Sequence, residues 1–132
     1  MILYHGSRKN LDIIKPFECT NRRAAVYASI DFNFALCYAS KQWNDLILNQ
    51  SYYNNQLTLT ELKENVFEDI FDIDGYIYQI DSNDFIKVPD GVHTEYYCFH
   101  EVNYINKIHI NSVLNEIKQS NIILYEFSNK PF

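Results

Sequence analysis

The sequence predicts an α+β protein, and three observations carry that expectation: a short strand at the start, a middle with helical spacing, and a late run of alternating segments. Leu3-Tyr4-His5 forms the first, with Gly6-Ser7 behind it. Over 31–49 the apolar positions are Phe34, Cys37, Tyr38, Trp43, Leu46 and Ile47; over 57–71 they are Leu59, Leu62, Val66, Phe67 and Ile70. Both spacings predict helix. Strands follow over 76–80, 85–88, 96–102 and 105–110, then a short helix over 112–119 and a last strand over 122–127.

Between these elements the connections read as follows. Residues 8–16 form a polar turn into a short amphipathic piece, with Leu11, Ile13 and Ile14 turned inward and Pro16 ending it. Residues 18–21 read as a loop. An apolar strand over 24–28 then runs into a helix start, where Ser29 can cap and Asp31 sits in the first turn, which favours an anion. QSYYNNQ at 50–56 has no periodicity and reads as a surface loop. In the 57–71 helix Thr60 is the expected cap, and Glu61, Glu64, Glu68 and Asp69 form an acidic outer face.

With 132 residues the chain has the length of one domain, and 47% hydrophobic and 16% aromatic content suits a packed core. The start, Met1-Ile2-Leu3-Tyr4-His5, carries no basic region followed by a long apolar run, so a cytoplasmic protein without signal peptide or membrane association is expected. Cys19, Cys37 and Cys98 form no CxxC pair, and the four histidines show no ligand spacing. A disulfide framework and a metal are therefore not expected. Residues 1–26 hold five Lys and Arg against two acids, +3, whereas 27–132 hold six Lys against fifteen acids, −9. A basic segment on an acidic protein suits a small phosphate-bearing ligand better than a long polyanion.

The three glycines, Gly6, Gly75 and Gly91, are expected where a side chain is not tolerated. Gly75 after Asp74 and Gly91 after Asp90 read as turns. Gly6 follows a strand, which suggests a close approach of ligand to backbone.

Three stretches carry chemistry: Leu3-Tyr4-His5-Gly6-Ser7; Arg22 to Tyr38, in which Tyr27 and Tyr38 lie 11 positions apart; and Thr94-Glu95-Tyr96-Tyr97-Cys98-Phe99. A strand turning back into a helix can bring two tyrosine rings across a slot that admits a flat ring. In this order and spacing the three resemble the His, Tyr and Glu motifs of the ADP-ribosyltransferase superfamily, in the branch of diphtheria toxin and the poly(ADP-ribose) polymerases. About twenty residues carry the resemblance.

The resemblance implies a fold of two small antiparallel sheets around an NAD cleft with flanking helices. It implies NAD⁺ as co-substrate, with Glu95, His5 and Tyr27 as catalytic residues. His5, Gly6, Ser7, Tyr27 and Tyr38 would hold NAD⁺: the two tyrosines sandwich nicotinamide, the Gly6 backbone bonds its carboxamide, and His5, helped by Ser7, orients a ribose. Arg22 or Arg23 would meet the pyrophosphate, with no basis in sequence for choosing between them. Glu95 would bond the ribose 2′-hydroxyl and stabilise the oxocarbenium-like transition state; Glu101 is the rival carboxylate, set aside because it falls near the strand's end. The loop 88–94, with His93 and Thr94, would help choose the acceptor.

The expected activity is mono-ADP-ribosylation of a macromolecule, protein favoured over nucleic acid, by a bacterial or phage effector, toxin or inhibitor of host defence. The alternatives are a nucleic-acid ADP-ribosyltransferase, an NAD⁺ hydrolase, and a non-catalytic binding module whose acidic 57–71 helix mimics a polyanion.

Overall fold

Short alternating segments dominate the chain, and in the computed structural model most of them pair. The structure describes residues 1–19 and 22–129; within that range the side chains of Glu18, Cys19, Arg22 and Asn129 lie outside the description. The architecture is α+β, with two small, mostly antiparallel sheets and few helices. The strands are β1 (Ile2–Ser7), β2 (Phe17–Cys19), β3 (Arg22–Ser29), β4 (Leu48–Tyr53), β5 (Gln56–Glu61), β6 (Gly75–Asp81), β7 (Ile86–Lys87), β8 (Glu95–Cys98), β9 (Asn106–Ile110) and β10 (Ile123–Tyr125). The helices are α1 (Phe32–Leu36), α2 (Val66–Phe71) and α3 (Val113–Gln119).

The larger sheet runs β7-β8-β3-β1-β6-β9, with β2 paired to β3; the smaller runs β10-β5-β4, with β10 parallel to β5. Strand alternation gives the larger sheet two different faces. Leu3, Val26, Tyr78 and Ile80 point to one, where a smaller apolar cluster includes Ile14 and Cys98. Ile77 and Ile110 point to the other, where the main cluster joins them to Leu57 and Leu59 of the smaller sheet and to Phe67 and Ile117 of the helices. Each such buried side chain stabilises the fold by about 1.5–3 kcal/mol relative to exposure.

The middle of the chain departs most from the sequence expectation. The 31–49 helix shrinks to α1, and 48–53 is strand. The expected loop at 50–56 and the first part of the expected 57–71 helix form a hairpin, β4–β5, turning on Asn54 and Asn55 at φ 52° and 63°. Two successive left-handed residues match a type I′ turn, which asparagine tolerates better than most residues. Thr60 is thus a buried strand residue rather than a cap, and Glu61 is buried, not on an acidic face. Its Oε2 accepts from Phe67 N at 2.8 Å, at the start of α2, and its Oε1 accepts from Phe127 N at 2.8 Å. Of the expected acidic 57–71 helix only α2 forms, with Glu68 and Asp69 exposed on it.

Smaller corrections sit at the element ends. Asp31, not Ser29, caps α1, accepting from Asn33 N at 3.0 Å, while Ser29 Oγ accepts from Asp31 N. Glu18 and Cys19 belong to β2 rather than to a loop. Gly75 opens β6; a Cβ there would lie 2.2 Å from Ala39 O, so packing rather than a turn demands it. No helix among the described residues is long and apolar enough to cross a membrane.

Candidate functional site

The three motif strands are neighbours in the sheet, and their registers set one row across it. Tyr4 of β1 pairs with Ser29 of β3, and Ser29 pairs with Glu95 of β8. Cross-strand partners share a face, and Tyr27 and Gly6, two residues along, share it too. The register of β1 with β3 consists of Tyr4↔Ser29, whereas β1 continues along β6 from Ile2 to Ser7. β1 and β3 therefore part beyond Tyr4.

A cavity of about 80 Å³ occupies this parting. His5, Gly6, Tyr27, Tyr38 and Glu95, five residues drawn from three motifs, all line it. Phe17 and Phe34 add apolar wall. Convergence of the motifs is thus a property of the fold.

His5 lies on the opposite face from Tyr4, buried against Tyr78 at 6.2 Å between ring centroids, and reaches the cavity through the gap. Its Nδ1 donates to Tyr27 O at 2.6 Å. A carbonyl can only accept, so Nδ1 carries the proton, and burial holds the imidazole pKa below its ordinary value. The ring is then neutral near pH 7, with Nε2 an acceptor.

Gly6 has a different reason from the one the sequence suggested. A Cβ at Gly6 would lie 2.0 Å from Ala35 O and 2.9 Å from Ala39 N. The close approach is by the backbone of α1 and the turn after it, which roofs the cavity, and Gly6 also lines that cavity.

Tyr38 stands just past α1 rather than within it, stacked on Trp43 at 5.3 Å and 22°, with its hydroxyl donating to Gln50 Oε1 at 2.8 Å. Tyr27 donates to Arg23 O at 2.7 Å and tilts against Tyr97 at 5.8 Å. Both rings are fixed at their polar ends.

Glu95 is buried, with 6% exposure. Its backbone bonds Val92 O through N–H and Val88 N through C=O, closing the loop before β8 into a tight turn. Gly91 lies within this loop, where a Cβ would come 2.6 Å from Glu95 Oε1. The loop is held from behind: Tyr52 donates to Asp31 Oδ2 at 2.7 Å and lies 3.1 Å from Thr94 Oγ1. Burial raises the Tyr52 pKa, so the phenol stays a donor.

Other expected residues are placed differently. Ser7 Oγ accepts from Lys9 N at 3.1 Å and does not line the cavity. The Arg23 guanidinium lies 3.7 Å from the Phe99 ring centroid, on the same strip of sheet as Tyr27. Arg22 opens β3, and its side chain lies outside the described residues. His93 is exposed, its ring edge-on to Tyr52 at 4.8 Å, and Thr94 is buried behind the loop. Glu101 is exposed and away from the cavity. Burial pushes the Cys37 thiol up to about 12, so it is no nucleophile at neutral pH.

Sequence reading missed Phe17, Phe34, Gln50 and Tyr52. A second, more open depression of about 420 Å³ adjoins the cavity and shares Phe34, Tyr38 and Glu95 with it. Trp43, Asp45, Gln50 and Asp90 complete its polar and aromatic lining.

No protein-family model matches the chain, and neither does any curated protein or solved structure.

Proposed function

We propose that the protein is a mono-ADP-ribosyltransferase that cleaves the nicotinamide–ribose bond of NAD⁺ and transfers ADP-ribose to a macromolecular target, most simply a protein. One observation carries the reading: His5, Tyr27, Tyr38 and Glu95, brought from 90 positions of sequence, line a single cavity.

Breaking that bond turns a cationic ring into a neutral leaving group and builds positive charge on the ribose. Each step has a residue suited to it. Tyr27 and Tyr38 hold the ring between them, and an apolar enclosure favours the ring once it is neutral. His5, neutral with its Nε2 lone pair available, accepts from a ribose hydroxyl. Glu95 supplies a preorganised negative charge beside the ribose, where the oxocarbenium-like charge develops. Arg22 or Arg23, the basic pair at the start of β3, meets the pyrophosphate.

The deciding experiment measures nicotinamide released from NAD⁺ by wild type and by Glu95→Gln. Release by wild type that is lost in the variant is expected. Equal release from both, or none from wild type with NAD⁺ alone and with lysate protein added, overturns the reading.

A further inference from the structure

Resting on the transferase reading, we infer that the acceptor is an arginine side chain of a protein, received in the more open depression that adjoins the cavity at Glu95 and Tyr38. The two hollows share Glu95, so a group seated in the open one meets the ribose at the carboxylate where the bond breaks.

The lining selects the chemistry. Its ionisable groups of defined charge are Asp45, Asp90 and Glu95, with no basic residue among the described lining. A phosphodiester chain meets three carboxylates there and is repelled. A cation is attracted, and the chain's net charge of −6 adds a field of the same sign. Beside the carboxylates stand Trp43 and Tyr38, stacked at 22°. Flat aromatic faces next to carboxylates suit a planar guanidinium, which stacks and bonds in two directions at once, better than a compact ammonium.

In the transfer, a guanidinium Nη forms the new bond to C1′ of the ribose as the bond from C1′ to the nicotinamide nitrogen breaks. The electron pair of that bond neutralises the pyridinium. The proton displaced from Nη passes to a carboxylate of the depression and then to water, so the modified guanidinium keeps its charge.

The test incubates the protein with labelled NAD⁺ and, separately, poly-L-arginine, poly-L-lysine or a single-stranded oligonucleotide, following nicotinamide release alongside covalent label. Label on polyarginine, about tenfold weaker on polylysine and absent from the oligonucleotide, is the expected result. The double variant Asp45→Asn with Asp90→Asn, both exposed positions, lowers the ratio of labelled polyarginine to free ADP-ribose about tenfold. Nicotinamide release with label on polylysine or the oligonucleotide equal to that on polyarginine, with polyarginine left unlabelled, or with an unchanged ratio in the double variant overturns this inference and leaves the transferase reading standing. Absence of nicotinamide release under every condition removes both.

Discussion

Glu61 and Glu95 are buried to nearly the same degree, 3% and 6% exposed, and each ends or begins a strand, yet they face different things. Both oxygens of Glu61 accept from backbone N–H groups, at Phe67 and Phe127, so its charge is spent on holding α2 and the turn at Phe127–Asn129. Glu95 also lines two hollows, as Glu61 does not. Burial of a carboxylate therefore says little about chemistry by itself; whether the buried group also borders a hollow separates the two.

The sharpest way to break this comparison is to exchange each acid and read activity and stability together. Glu95→Gln is expected to slow nicotinamide release about a thousandfold, roughly 4 kcal/mol of barrier, while the thermal midpoint stays within about 2 °C. Should the variant melt far earlier, Glu95 is a fastening as well. Glu61→Ala loses two charge-assisted bonds in a dry site and is expected to destabilise by about 3 kcal/mol, lowering the midpoint by roughly 10 °C in calorimetry. A near-normal melting curve would show that α2 does not depend on it.

Gly91→Ala refines the contrast, because its Cβ intrudes on Glu95 Oε1 while the residue itself is exposed and its φ is not positive. About a tenfold loss of activity is expected as the carboxylate is displaced, with a smaller loss in melting because the same Cβ would lie 2.8 Å from Val88 Cγ1 and 2.9 Å from its Cβ. A loss of stability comparable to that of Glu61→Ala would contradict it.

The smallest effect concerns pH. Burial lowers the folded pKa of His5, so the unfolded chain takes up its proton first as pH falls below 6.5. Above that value the group contributes nothing to pH dependence; below it stability is lost, by at most about 1.4 kcal/mol per pH unit, until the folded pKa is reached. Thermal melts of wild type and His5→Gln between pH 7.5 and 5.5 check the sign: the difference between them must shrink toward low pH.

The cavity was legible because each of its key residues sits in a short local signal. The strand-like start places His5, a strand-to-helix turn places Tyr27 and Tyr38, and Glu95 opens a strand. The middle was not. Leu57-Thr58-Leu59-Thr60 alternates with a period of two, and Asn54-Asn55 is a turn pair, but longer-range apolar spacing suggested helix. The sheet they enter is completed by β10, more than 60 residues away, a pairing with no local signature. For the same reason Trp43, Asp45 and Gln50 could not be assigned to the open depression, since their positions depend on how that region closes on the sheet.

Because Tyr4, Ser29 and Glu95 form one row, competence for chemistry and correct strand pairing are a single property of this molecule. Inserting one amino acid between Glu95 and Tyr96, while Tyr96 to Cys98 keep their ladder with β3, would turn the carboxylate to the opposite side of the sheet. A length change there would move a carboxylate out of the cavity lining, whereas the hairpin tip at Asn54 and Asn55 can absorb one.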